Sequence, residues 1–286
     1  MHTLKATGAS SLSLPEGSYI YALAPCSAGL AAISSDDSLR LIDSANLKQI
    51  SVLSSQTHSG GVTCLRTGAG EQGTLLATGG RDGKVRLWDA NRTAGATVEF
   101  EALKNAPVLS VACNAATNTV VAGTELVSSQ AVVSFWDIRF PREPRLQYVE
   151  SHNDDVTELE YHPTQNHILL SGSTDGLVNI YDTTIQDEDD ALVQVINHGS
   201  VHHAGFLSPD TVYALSHDEV FSIHPMTNPD DPQKEPEPVL FGDLREPLAC
   251  EYVVQLCPGG AGYLAVGNKM YSSLIFWFVC LPCSVC

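Results

Sequence analysis

The chain has 286 residues, with 33 Asp and Glu against 15 Lys and Arg, a formal charge of −18. That length supports a sizeable core in one large domain or two small ones. An acid excess of this size repels phosphate backbones and excludes a nucleic-acid grip by bulk electrostatics. The share of hydrophobic residues, 43%, is that of a globular chain and excludes a disordered one.

Taken from the start, residues 1–16 are Ser-rich and lack the apolar run of about 7–15 residues that a secretory signal needs. Beyond them a pattern recurs: an apolar strand, a Gly/Asp turn, a second apolar strand, then an aromatic or apolar residue followed by Asp. It reads Ser34 to Asp43, then most cleanly Thr78 to Asp89, then Ala131 to Asp137, then Ser171 to Asp182. A degenerate fifth copy runs from His217 to His224. Asp43, Asp89, Asp137 and Asp182 stand 46, 48 and 45 residues apart, and His224 follows 42 later. A period near 40–45 with a Trp-Asp ending is the mark of a four-stranded propeller blade.

The segments between punctuation are β-prone. Val62–Leu65, Leu75–Thr78, Val108–Val111 and Val120–Ala122 are short, apolar and bounded by Gly, Asn, Pro or Ser. Asp82-Gly83 and Asp175-Gly176 fall where two strands must reverse, and Gly there supplies the positive φ a tight turn needs. No stretch holds a 3.6-residue period, so no long helix is predicted.

On these motifs the chain resembles the WD-repeat family over residues 17 to 268. Positions that open each repeat read Thr57-His58, Asn105, Ser151-His152 and Asn197-His198. The resemblance implies an all-β, WD-repeat β-propeller with five recognisable four-stranded blades, at 17–55, 56–104, 105–150, 151–196 and 197–240, plus an incomplete sixth at 241–269. It also implies buried hydrogen-bonded groups, one of His58, Thr78, Asp82 and Trp88 and a second of His152, Ser171, Asp175 and Tyr181. A buried indole N–H and a buried carboxylate need partners, which is the physical reason for such groups. The third and fifth repeats lack full sets and are expected to be less rigid.

Family propellers usually close with seven blades, so Leu4 to Leu14 is expected to act as a closing strand. Tyr252–Leu256 and Tyr263–Gly267 read as two strands of the sixth blade. After Lys269 the repeat register is lost, and 270–286 reads as an aberrant apolar, Cys-rich tail of a form truncated relative to a seven-bladed ring. Its apolar run is shorter than the ~20 residues a transmembrane helix needs, so no membrane is expected. Cys280, Cys283 and Cys286 would need a second, distant pair for structural zinc, which Cys250 and Cys257 supply only in principle, and the Cys283–Cys286 ending is a poor prenylation signal.

Other chemistry is weak. Gly79 to Val85 fails as a phosphate loop because Val85 stands where Ser or Thr must reach the metal. His202 and His203 should point to opposite faces of a strand and so fail to share a metal ion. Asp187, Glu188, Asp189 and Asp190 lack the alternation and central Gly of a calcium loop, and read as a solvated loop able to dock a basic peptide. The Pro-rich acidic stretch 228–238 reads as an extended spacer. No local catalytic motif is present. Cys26, Cys64 and Cys113 are far apart, as free thiols in a reducing compartment are.

The expectation is a non-enzymatic scaffold without cofactor or metal, intracellular in the nucleus, cytoplasm or both. Its partners would be proteins with basic surfaces, such as ribosomal or chromatin-associated ones. A propeller hydrolase with a site at the channel mouth and a non-functional truncated product are the alternatives left open.

Overall fold

The computed structural model describes residues 10–68, 74–92, 95–227, 237–257, 263–268 and 271–278. The segment 4–9, most of the Pro-rich stretch (228–236) and the three tail cysteines lie outside the described residues. The chain divides into two compact units, Met1–Tyr161 and His162–Cys286.

Among its described residues the first unit holds three antiparallel four-stranded sheets, each in sequence order. The first contains β1 (Ile20–Cys26), β2 (Gly29–Ser34), β3 (Leu39–Ile42) and β4 (Gln49–Ser54). The second contains β5 (Val62–Thr67), β6 (Leu75–Gly80), β7 (Lys84–Asp89) and β8 (Val98–Glu101). The third contains β9 (Val108–Asn114), β10 (Thr119–Thr124), β11 (Val133–Asp137) and β12 (Leu146–Tyr148). The unit ends with β13 (Val156–Tyr161).

The near-continuous burial of a strand such as Leu75–Gly80 follows from sheets packed on both faces. Successive side chains of β6 point oppositely. Leu76 joins Ile33, Leu39 and Leu41 of the first sheet in one core cluster. Its neighbour Ala77 joins Val108, Val111 and Trp136 of the third sheet in another. Each Leu or Val so buried contributes roughly 1.5–3 kcal/mol.

In the second unit, β14 (Ile168–Ser173), β15 (Leu177–Asp182) and β16 (Leu192–Asn197) pair antiparallel. A single turn of helix, α1 (Glu188–Ala191), precedes β16. A four-stranded sheet follows: β17 (Val201–Ser208), β18 (Thr211–Ser216), β19 (Val220–Pro225) and β20 (Val239–Asp243). The last sheet contains β21 (Tyr252–Cys257), β22 (Tyr263–Asn268) and β23 (Tyr271–Phe278). Leu170, Val178 and Ile180 pack on Val201, Ala204 and Val212, while Phe221 and Ile223 pack on Val253, Leu256 and Leu264.

Two outcomes differ from the sequence reading. Residues 271–278 pair with β22, from Tyr263↔Phe278 to Asn268↔Tyr271, as a third strand. The sequence shows no repeat pattern there, but an apolar run can pair by its backbone alone. His202 and His203 do not diverge: their rings lie 4.2 Å apart, and His202 also sits 5.0 Å from His217. The register of β17 shifts between Val201 and His203, and an extra residue in a bulge cancels strict alternation. Among the described residues, no set of three or more His, Cys, Asp or Glu is placed to hold a metal ion. Among them, too, no helix is long and apolar enough to cross a membrane.

Candidate functional site

The second sheet builds a buried polar chain from four residues that the sequence pattern singled out. Thr78 on β6 and Trp88 on β7 sit on neighbouring strands, and Asp82 sits in the turn between them. His58 enters from the segment ahead of β5. The Trp88 indole N–H donates to Thr78 Oγ1 at 2.9 Å. Thr78 Oγ1 lies 2.8 Å from His58 Nε2, and His58 Nδ1 lies 2.8 Å from Asp82 Oδ1. Thr78 Oγ1 is thus shared by the indole and the imidazole, and His58 Nδ1 is shared by Asp82 and by Arg86 Nη1, 2.8 Å away. Burial holds His58 below its ordinary pKa, against the opposing pull of the Asp82 hydrogen bond and charge. The ring is therefore neutral at pH 7, and both its nitrogens are committed.

Two local features make room for this chain. Gly83 turns the corner at φ 71°, where a Cβ would also strike the Asn105 backbone. Gly80 needs no unusual dihedral, but a Cβ there would run into the His58 ring. The structure adds a member with no forecast, Arg86. Its Nη1 donates to Thr57 O and Asp82 Oδ2, each at 2.9 Å, and its Nε donates to Glu99 Oε2 at 2.8 Å.

The second expected group is divided between the units. His152 is buried in the first unit, and Ser171, Asp175 and Tyr181 belong to the second. There the Ser171 hydroxyl and the Asn179 amide meet the Tyr181 hydroxyl at 3.3 and 3.2 Å. Asp175 shapes the turn, its Oδ1 accepting from Leu177 N at 2.9 Å.

Two further groups escaped the sequence reading. In the first sheet, Asp36 Oδ1 accepts from the Ser34 and Ser38 hydroxyls, each at 2.6 Å, and Oδ2 accepts from Arg40 at 2.8 Å. Burial pushes that carboxyl up, but these donors outweigh it and hold it well below the usual range. In the fifth repeat, His198 Nε2 donates to Val220 O at 3.0 Å. Its Nδ1 then accepts from the Ser222 hydroxyl at 2.9 Å, and Ser222 Oγ accepts from His224 Nε2 at 2.7 Å. Burial lowers the pKa of both imidazoles. One signal could have found these groups. The residue four after the turn Asp is Arg40, Arg86, Asn179 or Ser222, and it always faces the same position on the preceding strand.

The acidic run lies outside this scaffold. Asp187 caps α1, its carboxylate accepting from Asp189 N and Asp190 N, and Asp187, Asp189 and Asp190 are exposed. A depression of the first unit gathers Tyr21, the Asp37 turn, Gly60-Gly61, Arg81 and Leu109. Exposed Arg81 supplies its positive charge, and the sequence offered no sign of it.

The chain is all-β, built from four-stranded antiparallel sheets like those of a WD40 propeller. The family model described as WD domain, G-beta repeat matches residues 48–89 and 144–182, which carry the opening His and closing aromatic of the two fullest sets. An uncharacterized WD repeat-containing protein of Saccharomyces cerevisiae is 43% identical over 61% of this chain and 44% of its own. One from Schizosaccharomyces pombe is 35% identical over 70% of this chain and 61% of its own. The WD repeat-containing protein 89 homolog of Dictyostelium discoideum is 40% identical over 27% of this chain and 22% of its own. The chain thus spans less than two thirds of the length of these relatives. In fold it is similar to a chain in a crystal structure of the mitotic checkpoint complex, with a TM-score of 0.71 and 17% identity over 94% of this chain and 77% of that one. The chain carries WD40 repeats, and its relatives are WD repeat-containing proteins.

Proposed function

We propose that this chain is a non-catalytic platform that binds proteins through basic contact surfaces, with Asp187, Glu188, Asp189 and Asp190 as one docking element. The carrying observation is the placement of charge. A chain of net charge −18 sets an acidic turn outside its packed strands, on a helical cap that fixes the backbone. Carboxylates held this way steer a basic partner and set its register more than they set raw affinity. The ring nitrogens of His58 and His198 are taken up inside the scaffold, which supports a binding role over a hydrolytic one. We place the protein inside the cell, in the nucleus, the cytoplasm or both. Support comes from the described cysteines, Cys26, Cys64, Cys113, Cys250 and Cys257, all of which are free thiols.

The test is fluorescence polarisation of Arg/Lys-rich peptides against the full chain, with charge-reversed peptides as controls. Basic peptides should bind at about 50 mM salt and weaken strongly by about 300 mM, as screening of exposed charge requires. The variant D187N/D189N/D190N should lose affinity about tenfold. Binding that is indifferent to salt and to this variant would overturn the reading.

A further inference from the structure

Next to the acidic turn stand two adjacent hydroxyls, Thr183 and Thr184, and the fold treats them oppositely. Thr183 is buried, and its hydroxyl donates to His167 O at 2.9 Å while its amide donates to the same oxygen. Thr184 is exposed, on the turn that leaves β15. Its hydroxyl donates only to Asp182 Oδ1, at 2.6 Å, a surface contact that one rotation of χ1 releases. Thr184 is followed at the third to sixth positions by Asp187, Glu188, Asp189 and Asp190. The capping bonds from Asp189 N and Asp190 N to Asp187 hold that acidic stretch in a defined turn downstream of the hydroxyl.

We infer that Thr184 is a phosphorylation site for an acidophilic serine/threonine kinase. Such an enzyme carries basic side chains where the residues after the acceptor dock, and the acidic turn is complementary to them. In the reaction Thr184 Oγ1 attacks the γ-phosphorus of a nucleoside triphosphate. The Oγ1–P bond forms, the bond from that phosphorus to the β,γ-bridging oxygen breaks, and nucleoside diphosphate leaves. The hydroxyl proton passes to the kinase's base. The product no longer has the proton that Asp182 accepted. It sets a charge of about −1.5 to −2 against that carboxylate, so the side-chain contact between Asp182 and Thr184 becomes repulsive. The modification also deepens the negative charge of the stretch beside it. The site does not depend on the acidic turn being a docking element: a kinase can read the turn whether or not any other protein does.

The experiment incubates the folded full chain with a casein-kinase-type acidophilic kinase, magnesium and labelled ATP. A basophilic kinase serves as the control, and labelled residues are mapped by mass spectrometry. The expected result is one phosphate on Thr184, absent from Thr184→Val. The rate should fall about tenfold or more in D187N/E188Q/D189N/D190N and remain unchanged in Thr183→Ser. Circular dichroism of each variant confirms the fold. Labelling elsewhere, labelling indifferent to the acidic substitutions, or labelling of an isolated 180–192 peptide but not of the folded chain would overturn the assignment.

Discussion

The groups around His58 and His198 occupy equivalent places in two repeats and are closed by different atoms. In the second sheet, Trp88 on the third strand and Thr78 on the second complete the chain that ends on the Asp82 carboxylate. In the fifth repeat, Ala214 stands where Thr78 or Ser171 stands, so no second-strand hydroxyl is on offer. Ser222 on the facing strand supplies the hydroxyl instead, and His224 takes the register of Trp88 and Tyr181. In both groups the opening His has its two ring nitrogens partnered, by different residues. A degenerate repeat is thus a differently satisfied one.

The sharpest way to break the comparison is to empty the richer group. His58→Ala removes a fully buried ring and takes one hydrogen-bond partner each from the Thr78 hydroxyl and Asp82 Oδ1. It should cost about 3 kcal/mol or more, read as a lower urea midpoint at constant slope. Next, Gly80→Ala forces a methyl group against the His58 ring and should cost roughly 1–3 kcal/mol. Placed in the His58→Ala background, the same change should be close to neutral, because the obstructing ring is gone. A full penalty in both backgrounds would mean that the glycine serves the backbone and not the imidazole.

In the fifth repeat, Ser222→Ala removes the hydroxyl shared by His198 Nδ1 and His224 Nε2. The loss should be about 1–2 kcal/mol, smaller than at His58 because both rings are only partly buried and water can reach them. A neutral result would show that the degenerate repeat does not depend on the bonded triplet.

The repeat period, the strands and the Thr78–Asp82–Trp88 spacing were legible in the sequence because backbone geometry ties them to fixed offsets. Arg86 was not, since its value lies in bonds to Thr57 O and Glu99, one of them on the preceding connection and the other on the next strand. His224 was hidden because it carries no resemblance to Trp, although its register identifies it. The bulge that brings His202 beside His203 is a backbone event with no marker residue. Residues 271–278 escaped because pairing to β22 requires only a free edge and an extended segment. The acidic stretch 187–190 was legible as charge, but the Asp187 cap and the contrast between Thr183 and Thr184 exist only once the turn is folded.

The smallest expected effect separates the two groups by charge. His58, His198 and His224 all have folded pKa values below the ordinary 6.5. The unfolded chain therefore takes up protons first as pH falls. Stability is complete above about pH 6.5 and declines below it, until the folded imidazoles titrate as well. Asp36 and Asp82 titrate below their ordinary 3.8 and leave the window from pH 7.5 to 5 to histidine. His58 faces the Asp82 carboxylate, which partly compensates a proton there. His198 and His224 lack that counter-charge, and His198 further disfavours a charge on His224. His224→Phe keeps an aromatic ring at the Trp88 register and removes one titrating group. In thermal melts across this window, it should flatten the fall in Tm more than Asp82→Asn does. An unchanged slope in His224→Phe would move the acid sensitivity to other histidines and break the link between the degenerate repeat and pH.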